Sequence, residues 1–277
     1  MKGAVRRRAL FRTAAITAAL LIALVPFYWM ALTALRDDKT IYSKNAGLLP
    51  THLTLTQFAT LWLKTPFPMY LRNSLFVAVV TTLSTVFMSI LAAYAVVRMP
   101  LRGRGLFTRG VLITYLVPPT LLFIPLFSVL RNLGLYDKLW GLVLTYHTFT
   151  VPFCVWMLLS YFRSIPVEIE EAAMVDGCGR WATVWRILVP TAAPGIAAAA
   201  IFSFTLAWNE FLYALVFTNK EASRTLPVGI TQFMLGDVYF WGQIMAAAVI
   251  ATLPAAVLYF AAESYMTEGL TAGGVKG

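Results

Sequence analysis

Six long stretches of this chain contain no charged residue: 13–35, 73–97, 110–130, 139–162, 187–209 and 238–262. Each is rich in Leu, Val, Ala and Phe and is closed on both sides by a charged residue. An α-helix rises about 1.5 Å per residue, so roughly 20 apolar residues cross the ~30 Å hydrocarbon core of a bilayer. The sequence therefore predicts an all-α, polytopic membrane protein with six spanning helices. Composition agrees. Charged residues are 12% of the chain and hydrophobic residues 60%, against about 25% and roughly 45–50% in soluble domains. Disorder and a collagen-like repeat are excluded by the same numbers, and two cysteines cannot build a disulfide scaffold. A transmembrane barrel is disfavoured, because its strands alternate apolar and polar residues over about ten positions.

The fifth stretch carries Pro190 and Pro194, which suit a helix start better than its middle. Its span is expected at 194–217, with Glu210 near the outer end. A further charge-free stretch, 45–63, holds Asn45, Pro50, His52 and Gln57 and reads as an ordered loop with a short helix over 56–63. Lys2, Arg6, Arg7 and Arg8 resemble a signal-peptide n-region, but the apolar run behind them exceeds the roughly 7–15 residues of an h-region. An uncleaved first anchor is the expectation.

Positive charge in short loops marks the cytoplasmic side. The amino-terminal segment carries Lys2, Arg6, Arg7, Arg8 and Arg12, and the second loop Arg98, Arg102, Arg104 and Arg109, all without an acid. Both termini are therefore placed inside. The expected organisation is a cytoplasmic tail 1–12, a six-helix domain 13–263 containing a cytoplasmic loop 163–190, and a cytoplasmic tail 264–277. The formal net charge of +10 does not imply nucleic acid, which needs a basic face on a soluble surface.

Most of the information lies in loop 163–190. Pro166 suits a first helical turn, and Glu168, Glu170 and Glu171 favour the positive end of a helix dipole. Asp176-Gly177 should end that helix, since glycine readily supplies a left-handed terminal residue. Trp181, Val184, Trp185 and Leu188 then form one apolar face of a second short helix, which Pro190 should end. Such a hairpin could be an amphipathic connector on the lipid surface. Three glutamates in four residues argue for a docking site instead, because anionic lipid would repel them.

Glu171, Ala172, Ala173, Gly177, Ile187 and Pro190 carry the spacing of the signature of ABC importer permeases, and the loop resembles that signature, with Val189 in place of its leucine. Tyr70-Leu71-Arg72-Asn73-Ser74, Leu133-Gly134-Leu135, Ala207-Trp208-Asn209-Glu210-Phe211 and the final nine residues from Gly269 to Gly277 resemble the MalG-type permease subunits of carbohydrate importers. The resemblance implies a type I importer core in the bacterial inner membrane. It implies a second permease subunit, two ATP-binding ATPase subunits and an extracytoplasmic solute-binding protein delivering a sugar. By the same resemblance Glu168, Glu171, Ala172, Ala173, Asp176, Gly177, Ile187 and Pro190 serve ATPase coupling. The tail residues Gly274, Val275, Lys276 and Gly277 would also contact the ATPase pair. Trp208, Asn209 and Glu210 are candidates for the substrate pathway.

No phosphate-binding Gly-x-x-x-x-Gly-Lys loop occurs in the sequence, so the energy source must lie in a partner. An ionised group at mid-membrane costs about 2.5–3.5 kcal/mol, so Glu210 has either a pathway role or a capping role near the span's end. His147 reads as a satisfied core histidine, Cys154 as an apolar filler and Cys178 as a free thiol. Pro118, Pro119 and Pro125 should kink the third span. No metal ligand set, cofactor site or catalytic cluster is expected. A glycerol phosphate or polyol permease remains the alternative, followed by an autonomous secondary transporter, which would need acids near the membrane midplane.

Overall fold

The structure is a computed structural model that describes residues 2–43, 47–49, 52–235 and 238–273. Its principal helices are α1 (Lys2–Ala34), α2 (Thr56–Lys64), α3 (Phe67–Arg98), α4 (Arg104–Leu116), α5 (Phe123–Asn132), α6 (Leu139–Ser164), α7 (Val167–Val175), α8 (Arg180–Thr191), α9 (Ala193–Asn209), α10 (Leu212–Phe217) and α11 (Trp241–Gly273). A two-residue hairpin, Met234–Leu235 with Val238–Tyr239, is the sheet structure among the described residues.

Four continuous helices are long and apolar enough to cross a membrane: Leu10–Ala34, Phe67–Arg98, Leu139–Ser164 and Trp241–Glu263. The other two expected spans are broken. Arg104–Leu116 and Pro119–Asn132 meet at 95°, and Arg180–Thr191 and Ala193–Asn209 meet at 80°. Counting each bent pair as one span gives six. The third span is thus more than kinked. Pro118 and Pro119 cannot donate the N–H groups that would continue α4, and a 3₁₀ turn at Pro119–Leu122 restarts the chain in a new direction.

The fifth span also departs from its expected bounds of 194–217. α9 stops at Asn209, Glu210 takes an extended backbone (φ −68°, ψ 125°), and α10 begins only at Leu212. Pro190 does not end the preceding helix. Val184–Leu188 forms a widened π turn, in which the Val189 N–H donates to the carbonyl of Val184, and the helix runs on to Thr191. A proline in the turn after such a bulge can sit where its missing N–H is tolerated.

The chain divides into two compact units. In the unit formed by residues 1–68 and 230–253, α1 exposes Leu10, Leu21, Ile22 and Phe27. Arg36 just beyond it is 2% exposed. Its guanidinium donates to the carbonyls of Gly47 and Leu49 and lies over the Trp29 ring. The Gln57 amide donates to the carbonyl of Arg36 and the carboxylate of Asp38.

The unit formed by residues 69–229 and 254–277 holds the main core. Ile90 and Ala93 of α3, Leu158, Leu159 and Phe162 of α6, Val184 and Leu188 of α8 and Ala199 of α9 are buried together. Small residues permit close helix contact, as expected within a membrane. The Tyr70–Ser74 motif fixes a loop in this unit. Asn73 Nδ2 donates to the carbonyls of Ala222 and Arg224, each at 2.9 Å, and Ser74 Oγ accepts from the Leu226 N–H at 2.7 Å. A Cβ on Gly229 would lie 2.1 Å from the Tyr70 ring, so only glycine fits there. His147 is satisfied, with Nδ1 donating to the Val143 carbonyl and Nε2 bonded to Ser84 Oγ at 2.8 Å.

Candidate functional site

Two features of the second unit stand out: the helical hairpin α7–α8 and a cavity where α4 gives way to α5 and α9 to α10. The hairpin turns where the sequence placed it. Gly177 has φ +89°, its N–H donates to the carbonyl of Met174, and the Cys178 N–H donates to the carbonyl of Ala173. This pair of bonds is a Schellman motif. Nothing lies within 4 Å of a Cβ built on Gly177, so its backbone angle, not crowding, demands glycine.

The hairpin separates its acids by face. Glu168, Glu171, Ala172 and Asp176 are exposed, with Ile169, Met174 and Val175 beside them at 41%, 43% and 87% exposure. Ile187 is half-buried and Pro190 exposed. Ala173, expected to share the docking surface with Ala172, is instead 8% exposed and packs inward. Trp181 departs from the buried face of α8, at 63% exposure, while Val184 and Leu188 are buried.

Glu170, which the motif spacing does not single out, is 3% exposed. Its carboxylate accepts from Arg98 Nε at 2.5 Å, and Arg98 Nη2 also donates to the Ile165 carbonyl at 2.8 Å. The last residue of α3 is thereby tied to the middle of α7. A second contact reinforces it: the Trp185 ring of α8 stacks on Phe87 of α3 at 5.9 Å and 13°. Two signals pointed to Glu170. It shares a helical face with Ala173, three residues on, and Arg98 ends a span in a loop that contains no acid.

The cavity has a volume of about 780 Å³ and lies at the breaks α4–α5 and α9–α10. Tyr115, Phe123, Phe149, Phe202 and Tyr213 contribute aromatic surface, and Thr148, Thr205 and Asn209 contribute polar atoms. No Lys, Arg or His lines it. Asn209 and Glu210 border the cavity, whereas Trp208 does not; it is 5% exposed and stacks on Phe204 at 5.7 Å. Glu210 is engaged by backbone. Its two carboxylate oxygens accept from the N–H groups of Tyr213 at 2.8 Å and Ala214 at 3.0 Å. These are donors that the start of α10 would otherwise leave unpaired. The Tyr213 ring stacks on Phe149 at 5.8 Å, and its hydroxyl donates to the carbonyl of Pro119 at 2.8 Å, linking the two breaks.

The expected tail contacts Gly274, Val275, Lys276 and Gly277 lie outside the described residues, and α11 continues the last span to Gly273. Among the described residues no group of His, Cys, Asp and Glu could hold a metal ion.

Apolar helices of spanning length, two broken spans beside a cavity and a helical hairpin with exposed acids define a membrane permease chain. Residues 85–269 match the binding-protein-dependent transport system inner membrane component family, and the chain belongs to that family. It is 40% identical over 260 residues to the inner membrane ABC transporter permease protein YcjP of Escherichia coli (strain K12), covering 93% of each chain. It is 38% identical over 282 residues to the trehalose/maltose transport system permease protein MalG of Thermococcus litoralis, covering 100% of both. Its fold matches a chain of a bacterial ABC transporter involved in the import of alginate, with a TM-score of 0.81 at 21% identity over 94% of this chain and 96% of that one.

Proposed function

We propose that this chain is one of two permease subunits of an ATP-driven carbohydrate importer. It forms half of the translocation pathway and docks on an ATPase subunit through loop 163–190. A second, different permease, two ATPase subunits and an extracytoplasmic solute-binding protein complete the assembly. The termini and the hairpin lie on the cytoplasmic side, where ATP is available. The observation that carries this reading is the division of acids on α7. Glu168 and Glu171 are exposed beside an apolar surface, while Glu170 is tied to the end of α3. A partner that moves the exposed face therefore also pulls on a spanning helix.

The cavity supports a neutral sugar. Aromatic rings offer flat apolar faces to a pyranose, and threonine and asparagine match its hydroxyls. A glycerol phosphate would call for cationic partners, and this chain's half of the pathway lines the cavity with none. The full-length likeness to a trehalose/maltose permease points the same way.

The test is detergent extraction of the tagged chain from its native membrane. The expected result is a co-purifying ATPase that is lost when residues 168–188 are deleted while the chain stays in the membrane fraction. Sugar uptake by the purified chain alone in liposomes would overturn the reading in favour of an autonomous transporter.

A further inference from the structure

A second cavity, of about 500 Å³, opens where the ends of three helices meet on the side of loop 163–190. Arg104 and Arg109 of α4 and Arg163 of α6 line it, with Thr108 between them and Val96 and Val97 of α3 as an apolar wall. Among the described residues, no ion pair or hydrogen bond engages the guanidinium of any of the three arginines. Glu170, the buried carboxylate on this side, is already held by Arg98. Three like charges gathered at the edge of a low-dielectric membrane repel one another, and an anion between them relieves that repulsion. Guanidinium groups bind phosphate oxygens with matched, bidentate geometry.

We infer that this cavity binds the phosphate of an anionic phospholipid in the leaflet on the side of loop 163–190. Its place at the ends of apolar spans puts it at headgroup depth. The same turn of α4 exposes Leu106 at 78% and Phe107 at 47%, an apolar surface for the acyl chains. A free phosphate would use only the arginines and leave that surface bare. A protein partner fits less well, because the exposed charges of the neighbouring α7 arm, Glu168, Glu171 and Asp176, are acidic and call for a partner of the opposite charge. The bound lipid would bridge α4 and α6, which otherwise meet here through like charges.

The experiment uses the intact importer, extracted and exchanged into an equimolar mixture of phosphatidylglycerol and phosphatidylcholine, with retained lipid read by native mass spectrometry. Each arginine near an anionic surface is worth about fivefold in lipid affinity. The variant R104Q/R109Q/R163Q should therefore retain about a hundredfold less phosphatidylglycerol, whereas R102Q, a single change outside the cavity, should lose at most about fivefold. A photoreactive phosphatidylglycerol on the unmodified protein gives a second reading that requires no variant to fold, and crosslinks should map to residues 96–109 and 163. Equal retention by the triple variant, or crosslinks confined to other helices, would overturn the inference. So would displacement of the lipid by millimolar inorganic phosphate, which would mark a free-anion site. Loss of the ATPase subunits with lipid retention unchanged would mark a protein contact and overturn it equally.

Discussion

Glu170 is buried and Glu210 half-buried, and the two carboxylates bind different things. Glu170 reaches across to another helix and holds Arg98 in an ion pair whose side chains are 4% and 13% exposed. Glu210 reaches along its own chain and caps the helix that begins two residues later. The first carboxylate couples elements, and the second sustains a break within one element. Glu171, next to Glu170, is exposed. In this protein, then, a glutamate's role follows from the group its oxygens meet, and its neighbours in sequence do not decide it.

The largest effect that can break this comparison is at Glu170. Removing one partner of a buried ion pair leaves the other charge uncompensated and costs about 3–5 kcal/mol. Both E170A and R98A should lower the melting temperature of the extracted protein and abolish uptake. The exchange R98E/E170R should recover part of the stability, because the charges again oppose each other. E171A should leave the melting temperature unchanged and weaken recovery of the ATPase. If E171A and E170A behave alike in both measurements, the division of acids by face is wrong.

An intermediate effect is expected at Gly177, which sets the angle between the two arms of the hairpin. A left-handed backbone costs a non-glycine residue about 1–2 kcal/mol, and a β-branched side chain fits it poorly. G177V should insert normally and lose uptake, while G177N, which tolerates this conformation, should keep a measurable part of it. Normal uptake by G177V would remove the turn from the coupling argument, leaving the Arg98–Glu170 tie to carry it alone.

Much of this was legible before any coordinates. Charge-free length located the spans, and the Glu171–Pro190 spacing located the hairpin, because both depend on periodic or fixed positions. Three things were hidden. Residue patterns cannot size a break: Pro118 and Pro119 signal a kink but not a 95° bend, and the expected span 194–217 runs straight through the extended Glu210. Three glutamates in one helical turn look equivalent until a partner for one of them is known, and Arg98 lies 72 residues before Glu170. The inward face of Ala173 was masked by a motif that treats its two alanines as one surface. A signal for the break did exist: Glu210 stands three residues before Tyr213, the spacing at which a side chain can reach an unpaired N–H at a helix start.

The smallest effect separates the cap from a pathway ligand. If Glu210 only caps α10, E210Q keeps an acceptor oxygen for the Tyr213 N–H and should change both stability and uptake little. E210A removes the acceptor and should cost about 0.5–2 kcal/mol, the usual loss for a helix cap. Its uptake should fall through a smaller amount of folded protein, with the half-saturating sugar concentration unchanged. A ligand role requires the opposite pattern, in which E210Q raises the half-saturating concentration at normal stability, because a carboxylate accepts hydroxyl protons more strongly than an amide. That pattern would move Glu210 into the cavity's binding surface, and it would then resemble Glu170 in acting on a group outside its own helix. The backbone bonds at 2.8 and 3.0 Å argue for the cap, since both carboxylate oxygens are already engaged.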